Sequence, residues 1–100
     1  MNKYTINADG RVVALRDFGG NVKKGDVGGI VDGEHNLSHY GDCWVFCDAR
    51  VSENARVSQN AMVSDYARVS GNARVYDRAR VSGHARVYDY AWVSGNEVLT

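Results

Sequence analysis

From residue 45 to the end, the sequence repeats in sixes: VFCDAR, VSENAR, VSQNAM, VSDYAR, VSGNAR, VYDRAR, VSGHAR, VYDYAW, VSGNEV, LT. The first place is Val nine times in succession, Val45 to Val93, and then Leu99; the fifth is Ala eight times, Ala49 to Ala91, until Glu97 breaks it. Internal periodicity of this kind constrains the fold before any local propensity does. A helix is excluded, because six residues are about 1.67 turns and the Val column would wander around the axis. Strands fit. In Ala49-Arg50-Val51-Ser52, period-two alternation sends Ala and Val inward and Arg and Ser outward. The third and fourth places read Glu-Asn, Gln-Asn, Gly-Asn and Gly-His, residues that tolerate positive φ and turn the chain. Three such sixes close a triangular coil, and coils stack at the usual strand spacing of about 4.8 Å.

The repeat, which runs aliphatic, small or Gly, two variable, small, variable, resembles that of the hexapeptide-repeat proteins over residues 45–100. The resemblance implies an all-β fold, the left-handed parallel β-helix, an exception to right-handed crossover. Pushed backward, the same phase puts Cys43, Leu37 and Val31 on the inward fifth place and His39, Gly33 and Val27 on the first. A degenerate coil starting near residue 27 makes roughly four coils in all. The segment LRDFGGNVKKGDVGGIVDGEHNLSHYGDCWV also resembles the N-terminal part of a group of bacterial and phage hexapeptide-repeat proteins, which implies such an origin and no particular chemistry. Residues 3–18 read as two strands around Ala8-Asp9-Gly10, a hairpin that would cap the open first coil. The expected organisation is an N-terminal β cap over residues 1–26 and a repeat β-helix over 27–100, regular from 45.

One hundred residues with 44% apolar content make one small domain with a narrow core. Twelve basic and twelve acidic side chains cancel, so neither nucleic acid nor an anionic membrane is an expected partner. The opening MNKYTINADG has no apolar h-region and no run approaches a membrane span, so a cytoplasmic location is expected. Two cysteines do not make a disulfide framework.

Stacking by coils sorts the outward residues onto three faces. The first carries Arg50, Arg68 and Arg86, with Ser52, Ser70 and Tyr88 beside them. The second carries Arg56, Arg74 and Trp92, with Ser58, Tyr76 and Ser94. The third carries Trp44, Met62, Arg80 and Val98, with Phe46, Ser64, Ser82 and Thr100. Trp44, Phe46, Met62 and Val98 together form a patch that a monomer seldom leaves bare. It is expected to be a subunit interface, the competing reading being that the N-terminal segment folds over Trp44 and Phe46. Hexapeptide-repeat proteins are commonly homotrimers packed along their helix axes, so the resemblance implies a homotrimer. The Arg50, Arg68, Arg86 ladder is a candidate anion site. Against it, Arg occupies the sixth place on every face, and Asp48, Glu53, Asp65, Asp77 and Asp89 stand near enough to screen it. The serines form no unbroken hydroxyl array of the ice-binding kind, because Arg, Tyr and Trp interrupt each column.

His35, His39, Cys43 and Cys47 are candidate zinc ligands at spacing four. The usual zinc signatures have two close pairs separated by a loop, and an inward Cys behaves as a small hydrophobe, so no metal is expected. Acyl transfer is the reaction most associated with the resembled fold, with a His as general base and CoA between subunits. His39 and His84 are the weak catalytic candidates. The uninterrupted repeat leaves no acceptor-binding loop, and no carboxylate is obviously placed to orient a base. No phosphate loop, dinucleotide fingerprint or nucleophile elbow is present. The expected function is a non-catalytic scaffold or binding module that binds itself and a protein partner, without a cofactor. The rivals are an acyl-CoA-dependent acyltransferase and a phage-carried inhibitor or ligand-capturing protein.

Overall fold

Each hexad folds as a two-residue strand and a tight corner. The computed structural model describes residues 2–100. Three strands precede the regular repeat: β1 (Tyr4–Ile6), β2 (Arg11–Ala14) and β3 (Val27–Val31). The repeat supplies β4 (Trp44–Val45), β5 (Arg50–Val51), β6 (Arg56–Val57), β7 (Met62–Val63), β8 (Arg68–Val69), β9 (Arg74–Val75), β10 (Arg80–Val81), β11 (Arg86–Val87), β12 (Trp92–Val93) and β13 (Val98–Leu99). A single 3-10 turn at Glu34–Asn36 is the only helical element among the described residues, and no helix is long and apolar enough to cross a membrane.

The strands form three sheets, one per face: β1-β2-β3-β5-β8-β11, β6-β9-β12 and β4-β7-β10-β13. All pairings within the repeat are parallel and join residues eighteen apart, as in Arg50↔Arg68, Arg56↔Arg74 and Trp44↔Met62. The molecule is an all-β solenoid of about four stacked coils. Its interior is the Val and Ala columns, Val45 to Val81 and Ala49 to Ala79, essentially without solvent contact. Burying a Val is worth about 1.5–3 kcal/mol, so the column carries much of the stability of a core too thin for larger side chains.

The corners are built to one backbone plan. The third place adopts left-handed φ in every hexad, whether occupied by Gly71, Gly83 and Gly95 or by Cys47, Glu53, Gln59, Asp65, Asp77 and Asp89, with φ between 57° and 65° throughout. At four of the six non-glycine corners a side-chain oxygen accepts the N–H of the corresponding corner one coil on. Glu53 receives Gly71 (3.2 Å), Gln59 receives Asp77 (2.8 Å), Asp65 receives Gly83 (3.0 Å) and Asp77 receives Gly95 (3.1 Å). A donor that the strand ladder leaves over is thereby satisfied, which explains the acidic and amide residues at a strained φ.

The first coil departs from the phase extrapolated from the repeat. Val31 pairs with Val51 and Leu37 with Val57, twenty residues apart, whereas Trp44 pairs with Met62 at eighteen. Two residues are therefore extra between Leu37 and Trp44, and the chain bulges there through Tyr40, 85% exposed, and Gly41 at φ 73°. Val31 and Leu37 thus occupy the first place and not the fifth, and His39 leaves the interior for the bulge. Val27 lies exposed at the start of β3, and Gly33 precedes the 3-10 turn, so neither fills a first place. Cys43 alone keeps the inward fifth place.

The N-terminal strands are antiparallel, with Tyr4↔Ala14 between β1 and β2 and Val13↔Val27 between β2 and β3. Asn7 Oδ1 accepts the N–H groups of Asp9 and Arg11 to close the first turn. Arg11 then clamps the hairpin to the first regular corner, donating to the carbonyls of Gly28 and Cys47 and pairing with Asp48 at 2.8 Å. β3 crosses the mouth of the solenoid so closely that a Cβ on Gly28 would lie 2.2 Å from the Val45 carbonyl oxygen. Phe18 and Tyr4 meet Trp44 edge-on at 5.2 and 6.2 Å, and Trp44 is 1% exposed. The N-terminal segment therefore covers Trp44, and this removes Trp44 from the expected subunit interface.

Candidate functional site: a groove on the second face

Repetition alone puts Arg56, Arg74 and Trp92 in one column, each in strand register with the next. Ser58 and Tyr76 follow on the same face, and Tyr76 meets the Trp92 ring edge-on at 6.5 Å. The bulge of the first coil gives this flat sheet a wall. The 3-10 turn and the segment after it bring Glu34, His35, Ser38, His39 and Tyr40 to its edge, enclosing a groove of about 700 Å³. That volume lies within the usual range for small-molecule sites.

Buried groups fix the wall. Asn36 is fully buried with its amide wholly used: Nδ2 donates to the carbonyls of Glu53 (3.1 Å) and Ala55 (2.8 Å), and Oδ1 accepts the N–H groups of Asp32 and Gly33. From the other side Tyr4 donates its hydroxyl to the Leu37 carbonyl at 2.6 Å and stacks on the His39 ring at 4.1 Å. His39 Nε2–H donates to the Glu34 carboxylate at 2.7 Å while Nδ1 accepts the Lys3 backbone N–H at 3.2 Å. A carboxylate does orient this imidazole, contrary to expectation. Because both ring nitrogens are engaged, the ring has no lone pair left to act as a base on a bound group.

The groove is cationic. Among the described residues the ion pairs are Arg11–Asp48 and His39–Glu34, so Arg56 and Arg74 have no carboxylate partner. Both guanidinium groups face solvent with their donors unspent. The corner carboxylates of Glu53, Asp65 and Asp77 accept backbone N–H groups, and none of them lies within ion-pair distance of either arginine. The same holds for Arg50, Arg68 and Arg86 on the first face, which also stand unpaired. There, however, Asp32 lines the recess between Arg50 and Arg68, and the sole aromatic side chain, Tyr88, lies beside Arg86.

The remaining candidates are dispersed. His35 holds the Glu53 carbonyl at 2.7 Å and His84 stacks on Tyr66 at a corner, ring centroids 5.4 Å apart. Cys43 is buried and Cys47 exposed, and both are free thiols. No group of three or more His, Cys, Asp or Glu side chains converges among the described residues, so His35, His39, Cys43 and Cys47 do not form a ligand set. On the third face Phe46 and Met62 are partly buried and Val98 is 60% exposed.

Lys3 has no counterpart in the sequence reading. Its side chain is fully buried, with Nζ donating to the carbonyls of Cys43 (2.7 Å) and Gly41 (3.2 Å), 3.4 Å from Cys43 Sγ and 4.8 Å above the Phe18 ring. Burial pushes the Lys3 ammonium below its ordinary value of 10.5 and the Cys43 thiol above its ordinary 9.0. The ammonium ties the two-residue bulge to the cap, and through it positions the groove wall.

These coils, with a short parallel strand on each face and identical corners, define a β-solenoid repeat protein. The sequence is similar to a family described as the YdcK beta solenoid repeat, whose model matches residues 49–65, 67–78 and 79–95. The matched residues lie in the regular coils, and the cap and groove wall lie outside them. No curated protein matches the sequence.

Proposed function

We propose that this chain is a non-catalytic β-solenoid binding module whose binding site is the second-face groove, and that it self-associates. The observation that carries the reading is the juxtaposition of two unpaired arginines with Tyr76 and Trp92 beneath a braced wall. Unspent donors beside exposed rings are groups that gain by binding and contribute nothing to the fold. The engagement of both His39 nitrogens argues against an acyl-transfer base, as does a repeat with no inserted loop. The hexapeptide-repeat likeness supports left-handed coils and a bacterial or phage origin, and charge neutrality supports a protein that binds neither nucleic acid nor an anionic membrane.

Self-association as a homotrimer rests on what remains of the third face once Trp44 is covered: Phe46, Met62 and Val98. A native mass spectrum of the protein purified without chelator tests both parts. A multiple of the 11.0 kDa chain supports the oligomer, and a few hundred daltons of additional mass per chain supports ligand capture. An 11.0 kDa species alone at micromolar concentration removes the oligomer.

A further inference from the structure

We infer that the second-face groove binds a phosphate monoester that bears an aromatic ring, attached either directly as in an aryl phosphate or through a sugar as in a nucleotide. The inference rests on the groove being a binding site and goes further by naming what fills it. Arg56 and Arg74 are adjacent rungs of one ladder, so the two side chains leave the same face from backbones about one strand spacing, 4.8 Å, apart. Two planar forks at that distance can each donate in bidentate fashion to one tetrahedral anion. A phosphate monoester carries about −1.5 to −2 charges at pH 7, which matches two cations that form an ion pair with no protein carboxylate. A carboxylate would leave one of them unmatched.

The ring follows from the next rung. Trp92 lies one coil beyond Arg74, about 7 Å from the midpoint of the arginine pair, and Tyr76 stands edge-on to it. An aromatic group attached to the gripped phosphate reaches the exposed Trp92 face and stacks there, a contact tolerant of ring identity. Glu34 is the one carboxylate in the wall; its Oε1 accepts His39 Nε2–H at 2.7 Å and pairs with neither arginine. The first face offers the same arginine ladder with a different lining: Asp32 shares the recess of Arg50 and Arg68, where it repels a dianion, and the ring beside Arg68 and Arg86 is the single phenol of Tyr88, with no indole next to it.

Isothermal titration calorimetry of the full chain tests the inference, with phenyl phosphate and uridine 5′-monophosphate as probes and inorganic phosphate, phenol and uridine as their separate halves. The expected result is saturable binding of at least one monoester, with each half at least tenfold weaker. Arg56→Gln and Arg74→Gln should each weaken it about tenfold without moving the Tm, since both side chains are outside the core. Whichever of the two monoesters binds tighter identifies the ring as aryl or nucleobase. If phenol or uridine binds as well as its phosphate and Trp92→Ala abolishes it, the phosphate assignment is overturned while the groove stands as a site. If none of the five binds at millimolar concentration, the ligand class fails; and if both monoesters bind undiminished in the two Gln variants, the groove itself fails as their site.

Discussion

At the scale of single residues, the corner dictates what the third place can hold. Left-handed φ costs a non-Gly residue about 1–2 kcal/mol, an outlay that the side-chain oxygens of Glu53, Gln59, Asp65 and Asp77 offset by capping a backbone donor one coil away. Cys47 has the same φ, 57°, and no such oxygen. Cys47→Gly should therefore stabilise the chain by up to about 1 kcal/mol, whereas Gly71→Ala, at φ 65° and with a Cβ 2.9 Å from the Asp89 nitrogen, should cost about 1–2 kcal/mol or more. Urea unfolding of the two variants checks both signs. The buried groups under the wall give a second prediction. Burial raises the Cys43 thiol above 9.0 and the Tyr4 phenol above 10.0, so the folded chain keeps protons that the unfolded chain releases. Stability from these two is complete below pH 9 and is lost as pH climbs beyond it. Lys3 acts oppositely, because its lowered value lets the unfolded chain hold the extra proton up to pH 10.5. Stability should fall from about pH 9 upward, begin to fall nearer pH 10 in Cys43→Ser, and fall more steeply in Lys3→Met; identical pH profiles in all three proteins would contradict the account.

At the scale of elements, the regular coils and the first coil differ in how openly the sequence declares them. From Val45 onward each hexad carries its own strand, corner and core residue, so face membership and the eighteen-residue register follow from counting. Arg56, Arg74 and Trp92 were legible as a column for that reason. The wall beside them was not. A bulge of two residues shifts Val31 and Leu37 by two places, and nothing local in HNLSHYGDC announces where the surplus residues lie. Nor does one Lys near the start of a chain reveal that it will be buried against carbonyls forty residues on; its partners Gly41 and Cys43 are set by tertiary packing alone. The signal that could have located the wall is the pair Gly28-Gly29, since adjacent glycines inside an otherwise β-branched strand mark a close backbone approach. A Cβ on Gly29 would lie 2.4 Å from the Ala49 carbonyl oxygen, and one on Gly28 would also crowd Trp44. Gly28→Ala and Gly29→Ala should each cost about 3 kcal/mol by lifting β3 off the first coil, seen as a lower Tm and as increased exposure of Trp44 to a fluorescence quencher. An unchanged Tm in both would mean that β3 does not close the mouth.

At the scale of the whole molecule, a solenoid separates stability from function more cleanly than a globular core does. The Val and Ala columns and the ladder between coils hold the chain together, while the sixth-place arginines from Arg50 onward point away and can vary without cost to the core. Faces are therefore free to be binding surfaces, and the cap converts one of them from a plane into a groove. The third face tells the reverse story. With Trp44 buried, Trp44→Arg probes the core and not an interface, so the informative variant for self-association is Met62→Glu with Val98→Glu. That pair should reduce the native mass to a single chain while leaving the far-ultraviolet dichroism unaltered; an unaltered oligomer would place the contact elsewhere. The central claim is that the second face, and not the first, is where this solenoid binds a small ligand. Chemical-shift mapping on the 15N-labelled protein with a mixed set of small anionic and neutral aromatic fragments addresses it directly. The account predicts shifts confined to the Trp92 indole N–H, the Arg56 and Arg74 side chains and the amides of residues 34–40. Shifts clustered on Arg50, Arg68 and Arg86, or no shifts at all, would contradict it.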